Sequence, residues 1–283
     1  MYNDYFGFRE NPFNLTPDSS FFFPSEKHKS ALDALVYAIQ ERKGFVVITG
    51  EVGSGKTTVS RTLLKRLGPN IKTAVINNTF ISPKGVITLL LEDLGIEYKH
   101  GPKERLLIQL NDYLISQAKH DCDIVLLIDE AQNLSMQCLE EIRMLSNLET
   151  EKEKLIQIIM LGQPELRRKL ESPRLEQLRQ RVAVQFHLEP LNPEEVRAYI
   201  LHRLNYAKSN GRPLDGLFDD EALNLVSRYS QGIPRLVNKL CDHALLGAFV
   251  AESQVVTSVM MKDAIEDFYI REDKSYEQIY QSA

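Results

Sequence analysis

The chain has 283 residues, 43% hydrophobic and 26% charged, which is enough for one large globular domain or two small ones and excludes a disordered or fibrous protein. A net charge of −5 supplies no whole-protein basic field of the kind that attracts nucleic acid, although it leaves room for a local basic face. Three scattered cysteines, Cys122, Cys138 and Cys241, exclude a disulfide framework or a paired-cysteine metal site and fit a reducing compartment. Met1 to Arg9 lacks the basic and apolar regions of a signal peptide, and no stretch approaches the ~20 apolar residues of a membrane span. The expectation is a cytoplasmic protein in which any membrane role runs through a partner.

From Tyr2 to Pro24 runs an aromatic and proline-rich lead-in with Phe6, Phe8, Phe13 and Phe21 to Phe23. It either walls an adenine pocket or seals one edge of the core, and both can hold. A helix with apolar positions Leu32, Leu35, Val36 and Ile39 follows, then a strand from Phe45 to Thr49. That strand leads directly into Gly50-Glu51-Val52-Gly53-Ser54-Gly55-Lys56-Thr57, a G-x-x-x-x-G-K-T loop. Its glycines let backbone N–H groups cradle a phosphate, its lysine reaches the β- and γ-phosphates, and its threonine hydroxyl takes a Mg²⁺ position. The helix that begins there aims the positive end of its dipole at the same anion. Gly50 to Thr57, with Thr58 after them, are therefore the candidate ATP-binding residues.

Strand-like runs recur at Thr73 to Asn77, Ile124 to Ile128, Leu155 to Leu161 and Val182 to His187, separated by helical patterns such as Leu106, Leu107, Leu110 and Leu114, or Met136, Leu139, Ile142, Leu145 and Leu148. This alternation predicts an α/β fold with a parallel sheet covered by helices. The third run ends in Asp129-Glu130. A carboxylate there can hold the metal, and the next can polarise an attacking water, so Asp129 pairs with Thr57 as candidate Mg²⁺ ligand and Glu130 is the candidate base. Small-molecule kinases need no such glutamate, which favours an ATPase. At the end of the fourth run, Gln163 either senses the γ-phosphate or caps a strand before the Pro164 turn. A basic cluster of Arg167, Arg168, Lys169, Arg174, Arg179 and Arg181 precedes the fifth run; most of it reads as solvated, but one arginine set against a neighbour's nucleotide would add about 10³–10⁵ in rate.

After Glu189-Pro190-Leu191 capped helices replace strands. Asn192-Pro193-Glu194-Glu195 supplies a cap, a first-turn proline and an N3 glutamate. Gly211 and Pro213 break the chain, and helices are expected from about Asp220 to Tyr229, Pro234 to Ala251 and Thr257 to Tyr269. The division expected is an α/β domain over 1–190 including the lead-in, a small all-α domain over 191–270, and a polar tail over 271–283.

Asp129-Glu130-Ala131-Gln132 resembles the DEAx box of two-domain helicases, but fewer than a hundred mostly helical residues follow Pro190, too little for the second α/β domain such motors need. The order of P-loop, Asp-Glu strand, polar strand end, arginines and helical segment resembles the AAA+ ATPases, in which Gly232-Ile233-Pro234-Arg235 looks like the lid segment that brings an arginine onto the γ-phosphate. A closer resemblance covers nearly the whole chain. Tyr5-Phe6-Gly7-Phe8, Asn11-Pro12-Phe13, Thr16-Pro17-Asp18, Thr49 to Thr57, Ile128 to Gln132, Leu161 to Leu166 and Gln180-Arg181 are similar to the ExeA, or general secretion pathway A, family, MshM-like and exopolysaccharide-system ATPases included. The resemblance implies a five-stranded sheet in order 5-1-4-3-2, a helical lid, Gln163 as sensor, Arg181 as preferred arginine finger with Arg179 second, and Arg235 as lid sensor. It also implies a homo-oligomer, a ring or filament, working with inner-membrane components of a secretion, type IV pilus or polysaccharide machine. Well-known members continue into a membrane helix and a periplasmic domain; this sequence stops soon after the helical segment, so it reads as a stand-alone version or a truncated one. A regulator acting on DNA, of the transposition target-selector type, shares the subgroup and is the alternative; a nucleotide-gated scaffold with slow hydrolysis is a third.

Overall fold

A computed structural model describes residues 2–151, 153–209 and 216–268. The expected break at Gly211 and Pro213, the end of the last helix at Tyr269 and the polar tail lie outside the described residues. By internal contacts the chain forms two compact units, one of Glu26–Val52 and Lys56–Glu189, the other of Met1–Ser25, Gly53–Gly55 and the chain from Pro190.

The first unit is α/β. Helix α1 (Tyr2–Phe6) belongs to the other unit, so the order here is α2 (Glu26–Gln40), β1 (Phe45–Gly50), α3 (Lys56–Arg66), β2 (Ile71–Ile76), α4 (Pro83–Asp93), α5 (Lys103–Ala118), β3 (Asp123–Ile128), α6 (Met136–Leu145), β4 (Gln157–Gly162), α7 (Pro164–Leu170), α8 (Glu176–Arg181) and β5 (Val182–Leu188). The five strands are all parallel, in order β2-β3-β4-β1-β5, which is the 5-1-4-3-2 order implied by the resemblance. The inner strands β1 and β4 are buried at every position, as apolar runs with helices on both faces must be. The edge strand β5 alternates in burial, because only one of its faces is covered. Strand β4 starts two residues later than its apolar run suggests. Leu155 gives its N–H to the Leu148 carbonyl in a turn, whereas the Gln157 side chain, buried, takes the Gly44 N–H at 2.7 Å.

In the helical unit, α9 (Pro193–Ala207), α10 (Asp220–Ser230), α11 (Pro234–Val250) and a last helix over 258–268 enclose a second core. The capping box read from sequence is present: the Asn192 side chain takes the Glu195 N–H at 2.9 Å, and Glu195 takes the Asn192 N–H at 3.0 Å. Residues 2–25, which the sequence division placed with the α/β domain, pack instead into this unit. Phe6, Phe8, Phe13 and Phe21 are all buried in its core, each worth roughly 2 kcal/mol of apolar burial. Polar contacts fasten the same segment. The buried Arg203 donates to the Pro12 carbonyl and stacks 4.5 Å over the Phe21 ring, and the Tyr2 hydroxyl donates to Asp242. The same burial, with the Asp242 carboxylate beside it, drives the Tyr2 hydroxyl far above its ordinary pKa. Among the described residues no helix is long and apolar enough to cross a membrane.

Gly232 holds the entry to α11. Its φ is +75°, its carbonyl accepts the Leu191 N–H at 2.9 Å, and an added Cβ would lie 1.9 Å from the Leu191 oxygen. Both the backbone conformation and the clash oppose any side chain. Gly232→Ala is expected to lower the stability of this protein by about 3 kcal/mol, the strain and overpacking contributions combined. Urea unfolding measures it, and an unchanged midpoint would refute the assignment of Gly232 as an obligatory glycine.

Candidate nucleotide-binding site

Parallel strand order brings the carboxyl ends of β1, β4 and β3 side by side, with Thr49 in register with Gly162 and Ile128 with Met160. Ligands of open α/β sheets bind in the crevice outside such ends. Each end here carries a sequence-predicted site residue.

Beyond β1, the loop Gly50 to Thr57 turns through positive φ at Gly53 (81°) and Gly55 (98°), conformations that only glycine adopts without strain. Lys56 is almost wholly buried, 5% exposed, and its ammonium donates to the Gly50 and Glu51 carbonyls, both at 2.8 Å. Burial pushes the Lys56 pKa down from its ordinary value, against the attraction of Glu130 and Asp129, which raises it. The Thr57 hydroxyl donates to Asp129 Oδ2 at 2.8 Å. Thr58 lies in the first turn of α3, where its carbonyl accepts the Thr62 hydroxyl.

At the end of β3, Asp129 is buried and its second oxygen takes the Glu130 N–H at 2.9 Å. Glu130 is left-handed, φ 52° and ψ 37°, an uncommon backbone for a residue with a side chain and one that recurs at functional sites. Its carbonyl accepts the Thr79 hydroxyl at 3.2 Å and the Asn133 N–H at 3.0 Å. Its carboxylate accepts the side-chain amides of Gln132, at 2.6 Å, and Gln163, at 3.2 Å. Gln163 stands at the start of α7, immediately after β4. The structure thus gathers Lys56, Thr57, Asp129, Glu130 and Gln163 at one edge of one sheet.

The arginines disperse. Arg167 pairs with Glu171 and Arg168 with Glu165 along α7, Arg174 and Arg179 are exposed, and half-buried Arg181 donates to the Ser146 hydroxyl at 2.8 Å after α6. In the helical unit, exposed Arg235 opens α11 and gives its backbone N–H to the Gly53 carbonyl at 3.2 Å. A Cβ on Gly53 would fall 2.5 Å from that of Arg235, so this position excludes side chains twice over.

Sequence reasoning missed three residues. Thr79 and Gln132 hold Glu130, and Lys169, read as part of a solvated cluster, donates to the Gln132 and Leu134 carbonyls. Only Gln132 carried a signal, two residues from the base within the same short motif.

A family model described as an AAA domain matches residues 39–170, a span that contains β1 to β4 and every one of the gathered residues. General secretion pathway protein A of Aeromonas hydrophila is 39% identical over 257 residues, 90% of this chain and 46% of that protein. The chain carries an AAA domain and is related to general secretion pathway protein A. It spans about half the length of that relative. Among solved structures, the ORC2 protein of Aeropyrum pernix aligns over 92% of this chain and 72% of its own, with TM-score 0.67 and 15% identity. Drosophila ORC bound to DNA aligns over 95% and 65%, with TM-score 0.66 and 18% identity. The RuvB branch migration motor of Thermotoga maritima aligns over 86% and 68%, with TM-score 0.57 and 18% identity. At these identities the likeness establishes the fold alone, and the DNA of the Drosophila complex belongs to that protein.

Proposed function

We propose that this AAA+ ATPase binds ATP with Mg²⁺, hydrolyses it as a homo-oligomer, and supports assembly or operation of a bacterial envelope export machine. The observation that carries the chemistry is the Thr57–Asp129 pair at 2.8 Å with the Glu130 carboxylate one residue further along the chain. A hydroxyl and a carboxylate are hard oxygen donors, and a nearly buried ammonium held by two loop carbonyls is a charge prepared for phosphate, so the residues fit both groups. Thr57 and Asp129 would hold Mg²⁺, which when bound neutralises charge on the β- and γ-phosphates. Lys56 and the N–H groups of Gly50 to Thr58 bind and orient the triphosphate. Glu130 takes the proton from the attacking water, and Gln163 orients that water. Arg235 is assigned to the γ-phosphate, and Arg181, with Arg179 second, to the nucleotide of a neighbouring subunit. The division of labour proposed is nucleotide binding by the α/β part and a lid role for residues 191–270. The export role rests on the relative, with inner-membrane components of a secretion, pilus or polysaccharide system as partners.

Mixing two inactive variants tests the shared site. Arg181→Ala should bind ATP within a few-fold of wild type and hydrolyse it roughly 10³-fold more slowly. Combined with Glu130→Gln protein it should regain part of the activity, because some interfaces then hold an intact glutamate and an intact arginine. No recovery at any ratio would exclude Arg181 as a residue acting across subunits.

A further inference from the structure

We infer that Gln132 is a positioning residue for hydrolysis, which fixes the Glu130 carboxylate by fastening it to the end of β4. The inference rests on the reading of Glu130 as the base. Gln132 is 9% exposed and both ends of its amide are used. Nε2 donates to Glu130 Oε2 at 2.6 Å, and Oε1 accepts the Gln163 N–H at 3.1 Å. A carboxylate can only accept and a backbone N–H can only donate, so chemistry alone fixes which way this amide points. The Gln163 side-chain amide reaches the same Glu130 oxygen at 3.2 Å. Two donors therefore converge on Oε2, and Oε1 is the oxygen assigned to the attacking water.

The surroundings are built for this bracket. Lys169 on α7 donates to the Gln132 carbonyl and, at 2.8 Å, to that of Leu134, which holds the short turn that carries Gln132. Gly162 ends β4 without a side chain, where a Cβ would lie 3.0 Å from Gln132 Oε1 and 2.7 Å from Leu166 Cδ2. Thr79 pins the Glu130 backbone from the segment after β2. A general base gains most of its effect from correct placement, and a displacement of 1 Å costs about 10²-fold in rate. Gln132 touches neither the nucleotide nor the water in this account; it acts through Glu130 and Gln163.

Gln132→Met keeps length and volume and deletes both hydrogen-bonding functions. Its kcat is expected to fall about 10–100-fold. ATP affinity and KM should stay within about twofold, since the bracket orients the base rather than the phosphates. In a Glu130→Gln background the same change should cost less than about twofold more, because residues acting as one unit are not additive. Hydrogen exchange gives a readout apart from turnover: in the nucleotide-free protein the Gln163 amide should be protected, and Gln132→Met should release it while the β4 ladder amides keep their protection. Wild-type turnover by Gln132→Met would overturn the inference and leave the assignment of Glu130 standing. Wild-type turnover by Glu130→Gln would overturn the reading beneath it. Should Gln132→Met not fold, the wild-type exchange experiment decides alone, and a Gln163 amide exchanging as fast as an exposed loop amide would refute the bracket.

Discussion

Lys56→Ala is expected to lose ATP binding, with affinity reduced at least ~100-fold, the equivalent of about 2.7 kcal/mol. The ammonium has given up most of its water and is held by the Gly50 and Glu51 carbonyls. Neutral carbonyls recover only part of the hydration lost by a buried cation, and burial accordingly lowers its pKa. A phosphate oxygen offers the stronger, charge-assisted bond, so the site favours exchanging carbonyl for phosphate when nucleotide arrives. Alanine removes that gain and leaves Thr57 and Asp129 paired with each other. The same change deletes a buried charge whose desolvation opposes folding, so the melting temperature should stay near that of wild type. Binding is read by equilibrium titration with a fluorescent ATP analogue. Retained affinity would show that the loop backbone alone holds the triphosphate.

Glu130→Gln is expected to separate binding from chemistry: ATP affinity equal to or tighter than wild type, and turnover lower by about 10²–10⁴-fold. Glutamine has the size and shape of glutamate, and its carbonyl oxygen can still accept from Gln132 and Gln163 where Oε2 does now. Geometry is preserved while the capacity to take a proton from water is lost. Affinity does not suffer, because the substitution removes a negative charge from the neighbourhood of the phosphates.

How the fold follows from sequence is clearest at the strands. Largely apolar runs between helical patterns marked all five, and the G-x-x-x-x-G-K-T loop marked which strand leads into the candidate phosphate site. Their lateral order came through resemblance rather than periodicity, since nothing in Ile124 to Ile128 says whether β2 or β4 lies beside it. Asp129 and Glu130 were legible because an acidic pair closing an apolar run is chemically conspicuous. The partners of Glu130 were not. Gln132 and Thr79 are polar residues of ordinary type, and their role depends on a left-handed turn at Glu130 and on the side chain that Gly162 lacks, neither of which any spacing encodes. The aromatic lead-in was misplaced for a related reason. Phe6, Phe8, Phe13 and Phe21 announce burial, but the core that receives them is built by residues far along the chain, Val196, Ile200 and Leu204 among them, with Arg203 bonded to Pro12 beside it. Lys169 likewise looked solvated among five arginines, until α7 carried it to the carbonyls of a distant turn.

The claim at the centre of this account is that Glu130, held at the edge of the sheet beside a P-loop, performs hydrolysis. Incubation of wild-type and Glu130→Gln protein with radiolabelled ATP and Mg²⁺, followed by rapid desalting and chromatography of the bound nucleotide, tests it directly. The account predicts ADP on the wild-type protein and intact ATP on the variant at comparable occupancy. ADP formed on Glu130→Gln at the wild-type rate would contradict it.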